Sequence, residues 1–239
     1  MKKAIYGLKQ SPKAWCERLI TYLLEKKFEK WRVDRTLFIN RSNDELLVAQ
    51  INVYDIVFRV TSSDFALSFT EEMKTEFKMS MVGELTFFLG LQIRQLKTRI
   101  FISQSKYARK FGLESSKHFG TPMSTTIKLS KDVFRKDVEQ KFYRSMIGSL
   151  LYLTMSRLDI SFTVEACAKY QANPKESHLT TVKRIICYLN ETLDYSLWYP
   201  YGSSFVIVGY FDVNWVENVE DKKKNTFGAC FFIAGCLVA

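Results

Sequence analysis

The order of patterns along this chain predicts an α+β protein, and three observations carry the prediction. Segments with apolar residues at helical spacing alternate with short β-rich runs over the first hundred residues or so. A block of three helical segments follows, and three further β-rich runs come after it, which is the order of an α+β chain rather than a repeating β-α unit. With 239 residues, 47 % of them hydrophobic, there is enough apolar material for a real core, and ten Gly and four Pro leave no long linker.

Ser11-Pro12 reads as an N-cap followed by a first-turn proline. Trp15, Leu19, Tyr22 and Leu23 then fall on one face, so a helix is predicted from about Pro12 to Lys27. Leu46 to Asn52 and Ile56 to Thr61 make a hairpin around Val53-Tyr54-Asp55. Ser63 is placed to cap a helix in which Phe65, Phe69, Met73 and Phe77 recur every four residues, a stripe suited to packing across that hairpin. FFLGLQI (Phe87 to Ile93) and RIFIS (Arg99 to Ser103) read as a second hairpin around the polar stretch Arg94 to Thr98. Residues 121–141 are polar and poorly periodic; apolar-periodic segments follow near Phe142 to Met155, Asp159 to Tyr170 and Lys175 to Leu189, with Pro174 as the first-turn proline of the last. SLWY, SFVIVGYF and TFGACFFIAG read as three strands of a second small sheet. The expected division is therefore residues 1–120, 121–192 and 193–239.

Several function classes are disfavoured. The opening MKKAIYGLKQ has no apolar core segment or cleavage pattern of a secretory leader, and no apolar run approaches the roughly 18 residues of a membrane span. Cys16, Cys167, Cys187, Cys230 and Cys236 are odd in number and lack CxxC spacing, so they read as reduced, mostly buried, intracellular thiols. His118 and His178 have no metal-site or nucleophile spacing and read as structural or exposed. The net charge of +10 favours polyanionic partners, and the first 35 residues hold ten basic against four acidic groups. On charge alone, that segment is equally a solvated helix face.

Three segments of the first half, AIYGLKQSPKAW, QINVYDIVF and GELTFFLGLQI, resemble copia-type retrotransposon reverse transcriptases. HFGTPMS, FYRSMIGSLLYLTMSRLDI, NPKESHLTTVKRIICYL and GYFDVNW continue the resemblance in the family's order, over nearly the whole chain. What it implies is a partial polymerase palm, a helical thumb or connection region and an incomplete ribonuclease H-like sheet, a Pol polyprotein segment truncated at both ends. It also implies Mg²⁺ as cofactor, with an RNA template and DNA primer, or an RNA–DNA hybrid, as partners.

Polymerase and nuclease chemistry of this class uses two divalent cations about 3.5–4 Å apart, which carboxylates must hold. Where the family's turn carries Tyr-Val-Asp-Asp, this chain reads Asn52-Val53-Tyr54-Asp55. Asp55 matches the second Asp, Tyr54 stands at the first, and the family's third Asp would precede Met1. In GYFDVNW, Asp212 matches the first ribonuclease H carboxylate and Asn214 replaces a neighbouring Asp. Asp55 and Asp212 are therefore remnant catalytic and metal positions, and the resemblance implies an impaired enzyme. Lys9 and Lys13, in the basic segment, and Arg94, Lys97 and Arg99, in a hairpin placed where reverse transcriptases grip the primer, are the candidate nucleic-acid contacts. For the hairpin, a core ribbon with a polar tip is an equal reading. Trp15 and Tyr22 suit base stacking, but at helical spacing they are more often core residues. Two further functional readings stay open: a non-enzymatic basic nucleic-acid-binding remnant, and a decayed insertion with no selected role.

Overall fold

A computed structural model of the chain describes residues 11–42, 45–111, 119–124, 129–202, 206–214 and 226–238. It is mixed α and β, as predicted, and its contacts divide it into two units, residues 1–84 and 85–239.

In the first unit, α1 (Ser11–Glu25) precedes a four-stranded antiparallel sheet of β1 (Glu29–Lys30), β2 (Leu37–Ser42), β3 (Glu45–Asn52) and β4 (Asp55–Val60), in that order, and α2 (Ser63–Phe77) follows. The end of α1 is encoded locally. Lys27 takes a left-handed φ of +64°, its N–H reaches the Leu24 carbonyl at 3.1 Å, and the Phe28 N–H reaches that of Leu23 at 2.9 Å. These are the paired bonds of a Schellman stop, and its usual apolar contact is supplied by Leu23 and Phe28, both buried. Along β3, Leu47, Ala49 and Ile51 are buried while Leu46 and Gln50 are exposed, the period of two that fixes which face meets the helices. Phe69 of α2 sits edge-on to Phe58 of β4 with ring centroids 5.1 Å apart, so the predicted stripe packs on the hairpin. The helix cap is Ser62 rather than Ser63: its hydroxyl accepts from the Phe65 N–H at 3.3 Å, and its backbone is extended as an N-cap requires.

In the second unit, β5 (Phe87–Phe88), β6 (Leu91–Gln95), β7 (Arg99–Ser103) and β8 (Leu197–Pro200) form one antiparallel sheet in that order. Two expectations are corrected here. FFLGLQI is two strands, because Leu89 (φ +49°) and Gly90 (φ +78°) make a two-residue turn with both φ values positive, the conformation that tight hairpins favour. SLWY joins this sheet, not the one after it: Phe101 pairs with Trp198 and Ile102 with Leu197. A run of β residues encodes a strand but not its neighbour, and here the partner is almost a hundred residues upstream.

A short helix α3 (Ser105–Ala108) leads towards the helical block of α4 (Gln140–Leu153), α5 (Ser161–Ala168) and α6 (Glu176–Glu191). Tyr143, Ile147, Leu150, Val164, Ile185 and Leu189 are fully buried where these helices meet. Pro174 lies before the cap of α6 rather than in its first turn. Lys175 is the cap residue, and its N–H donates to Nδ1 of His178 at 2.9 Å. That bond places the ring proton on Nε2, which donates to the Ser130 carbonyl at 2.7 Å; the ring also stacks on Tyr170. His178 is thus a buried structural residue, whereas His118 is outside the described residues. The last sheet is antiparallel, with β10 (Thr226–Ile233) between β9 (Ile207–Asn214) and β11 (Cys236–Leu237).

The thiols are all free, but only Cys167 and Cys187 are buried, so the expectation of mostly buried cysteines is corrected; Cys230 is exposed and Cys16 and Cys236 are intermediate. Among the described residues, no helix is long and apolar enough to cross a membrane.

Candidate active-site hairpin and basic surface

The hairpin of β3 and β4 is in register through Ile51–Ile56 and Asn52–Asp55, which leaves Val53 and Tyr54 as a two-residue turn. Such turns need a positive φ at the first central position, normally supplied by Gly, Asn or Asp. Val53 holds φ +50° instead, a strain of about 1–3 kcal/mol for a β-branched residue that the paired strands must impose. The ring of Tyr54 rests 5.7 Å from that of Trp15, and Trp15 is edge-on to Phe77 at 6.4 Å. Tyr22 meets the same Phe77 at 5.3 Å. Trp15 and Tyr22 therefore pack within the first unit, and an aromatic chain runs from the hairpin tip to both helices.

Asp55 opens β4 with its side chain in solvent. Among the described residues, no three His, Cys, Asp or Glu side chains converge to hold a metal ion. At this turn the sequence offers one carboxylate, Asp55, and a Mg²⁺ ion held there would take its other oxygen ligands from waters and phosphate groups. Asp212 is on β9 opposite Gly228. Asp159, by contrast, is committed to the fold. Asp159 receives two bonds from the buried Arg157 guanidinium, at 3.0 and 2.7 Å, and one from the Tyr188 hydroxyl at 2.9 Å. Burial alone pushes its carboxyl up, but these hydrogen bonds and the Arg157 charge outweigh it and hold Asp159 below the ordinary carboxylate value.

Of the candidate nucleic-acid contacts, Arg94, Lys97 and Arg99 are exposed together at the turn end of the β6–β7 hairpin, closed by reciprocal bonds between Leu96 and Arg99. Lys13 is exposed on α1 in the other unit, within 3.9 Å of Glu17. Lys9 is outside the described residues. Lys106, absent from the sequence expectations, joins the hairpin group. The Gln92 side-chain oxygen accepts from the Lys106 N–H at 2.8 Å and from the Ser105 hydroxyl at 2.9 Å, which fixes α3 against β6. Lys106 Nζ is then 4.5 Å from the centroid of the Phe87 ring. A four-residue helix has too short a pattern for the sequence to announce this.

The family model described as reverse transcriptase (RNA-dependent DNA polymerase) matches residues 1–125, more than half of the chain. The chain belongs to the reverse transcriptase family. It is 30 % identical, over 92 % of its length, to the retrovirus-related Pol polyprotein from transposon RE2 of Arabidopsis thaliana, and 26 % identical over 98 % to that from transposon TNT 1-94 of Nicotiana tabacum. It spans only 16 % and 19 % of those two polyproteins. A transposon Ty5-1 protein of Saccharomyces cerevisiae, 27 % identical over 98 % of this chain, is covered over 78 % of its own length. No solved structure matches the chain. The reverse transcriptase match includes the Tyr54-Asp55 turn and the Arg94–Arg99 hairpin, whereas Asp212 lies beyond it.

Proposed function

We propose that this reverse transcriptase-family chain is a copia-type polymerase segment with an impaired catalytic centre that keeps the capacity to bind nucleic acid. The observation that carries the reading is the turn Asn52-Val53-Tyr54-Asp55, in which a phenol packed on Trp15 occupies a position where metal chemistry needs a carboxylate. With Tyr54 at the first position, the turn offers one carboxylate, Asp55, where the family's turn has two. Losing one preorganised electrostatic donor already lowers rates by roughly 10²–10³-fold, and a missing metal ligand lowers them further. In this reading residues 1–120 are palm, 121–192 thumb or connection, and 193–239 the start of a ribonuclease H-like domain marked by Asp212. The partners are an RNA template with a DNA primer, or their hybrid, met through Lys9, Lys13, Arg94, Lys97 and Arg99.

Primer extension on an RNA template, with Mg²⁺ or Mn²⁺, tests the catalytic half: no synthesis above an Asp55→Asn control is expected, and template-dependent product above that control refutes impairment. Binding to an RNA–DNA hybrid at rising salt tests the other half. A steep fall in affinity, as phosphate neutralisation produces, is expected; a flat response refutes it.

A further inference from the structure

We propose that one face of the β5–β8 sheet is a stacking platform for the unpaired bases of single-stranded nucleic acid, a separate mode from duplex binding through phosphates. Cross-strand register builds the face. Arg94 of β6 pairs with Phe101 of β7, and Phe101 with Trp198 of β8, so these three side chains stand in a row on one side of the sheet. Side chains two apart share a face, which adds Arg99 beside Phe101 and Gln92 beside Arg94; Phe87 of β5 is opposite Gln92. Phe87 and Trp198 are each 49 % exposed. With strands about 4.8 Å apart, the row from Phe87 to Trp198 spans roughly 15 Å. Four-stranded sheets whose aromatic residues stack two or three bases work on this scale.

The cations are placed to hold the backbone of such a strand. Lys106 lies over Phe87, the Arg99 guanidinium is 6.0 Å from the Phe101 centroid, and Arg94 and Lys97 are exposed beside them. Two open hollows, about 430 and 450 Å³, flank Phe101 on this face, within the size range of small-ligand sites. The first is bordered by Phe87, Gln92 and Arg94, the second by Tyr195 and Trp198. Asp194 borders both hollows and Asp159 the second, but Asp159 is already neutralised by Arg157. Four cations against one unneutralised carboxylate favour a polyanion. Aromatic faces flanked by cations bind single strands by stacking and phosphate contact, with little sequence preference.

The proposal rests on the nucleic-acid half of the function proposed above, so its test uses two probes. The full chain is titrated by fluorescence anisotropy with a 20-nucleotide oligo(dT) and with an RNA–DNA hybrid of the same length. Trp198→Ala and Phe87→Ala are each expected to weaken oligo(dT) binding about 5- to 150-fold while leaving hybrid affinity within twofold. Trp198→Phe, which keeps a stacking face, is expected to restore most of the loss. If both probes weaken equally, or oligo(dT) binding is unchanged while the hybrid still binds, the platform is overturned and the nucleic-acid reading survives. If neither probe binds the wild-type chain, both are overturned. A wild-type dimer that Trp198→Ala converts to monomer, seen by sedimentation velocity, would make the face a self-association surface and also overturn the platform.

Discussion

Replacing Gly90 by Ala should destabilise the second unit by about 3–6 kcal/mol, and the reason is a single added atom. Gly90 holds φ +78°, where an L-residue costs roughly 1–2 kcal/mol, and a Cβ built there would lie 1.8 Å from Oη of Tyr152. That hydroxyl donates to the Leu89 carbonyl at 2.5 Å and its ring is edge-on to Tyr107 at 4.7 Å, contacts that a retreating side chain must give up. Displacing it sacrifices a hydrogen bond of about 1 kcal/mol and adds overpacking of about 1–3 kcal/mol. Tyr152→Phe alone should cost only about 1 kcal/mol. In the double variant the nearest atom to the new Cβ becomes the ring carbon Cζ, 3.1 Å away, which a small tilt relieves. The double variant should therefore be more stable than Gly90→Ala alone, with a coupling of about 1.5–3 kcal/mol. Hydrogen exchange of the α4 amides measures this in the second unit without interference from the first. Strict additivity of the two substitutions, or a Gly90→Ala protein within about 0.5 kcal/mol of wild type, would refute the reasoning.

Other outcomes follow from the same geometry. Because Asp159 is held below the ordinary carboxylate value, its pairing with Arg157 contributes fully above about pH 4 and is lost as pH falls through the depressed folded value; Asp159→Asn should be less stable at pH 7 yet lose less between pH 5 and pH 2, seen in urea titrations at each pH. Val53→Gly should stabilise the first hairpin by about 0.5–1 kcal/mol by relieving φ +50°, and a loss of stability would show that the strain is absent. Cys167, buried and with its thiol pushed up to about 12, should resist a thiol reagent in the native state while exposed Cys230 reacts at once; mass spectrometry of the modified peptides distinguishes them.

How much was legible in the sequence depended on whether the signal was local. The stripe Phe65, Phe69, Met73 and Phe77 announced α2 because helical period is written in consecutive residues, and the β-rich run Leu46 to Asn52 announced β3 in the same way. Ser62 and Ser63 are adjacent hydroxyls with equal capping chemistry, so only the extended backbone at Ser62 decides between them. Leu89-Gly90 hid a turn because a leucine seldom takes a positive φ and the surrounding apolar run looked continuous. The SLWY run that holds Trp198 encodes a strand but not the sheet it joins, because strand pairing is a tertiary property. For the site, Asp55 and Tyr54 were located by the matching segment, while Lys106 needed the Gln92 side chain to fix its helix.

The two proposed surfaces differ in what the fold demands of them. At the β3–β4 tip, register is set by buried Leu47, Ala49 and Ile51, so the chain folds the same way whether the turn carries a carboxylate or a phenol. Adjacent carboxylates there would repel one another until a cation neutralised them; Tyr54 removes that repulsion and gains a contact with Trp15 worth roughly 0.5–1.5 kcal/mol. Folding thus has no reason to reject Tyr54, and under the proposed function the cost of the substitution falls on metal chemistry alone. On the β5–β8 sheet the balance is reversed. Half-exposed Phe87 and Trp198 contribute only part of their apolar area to folding, and single exposed aromatics need no explanation. Three aromatics on one face of a four-stranded sheet, with cations over two of the rings, are not scattered singles, and a nucleic-acid strand accounts for both the aromatics and the charges.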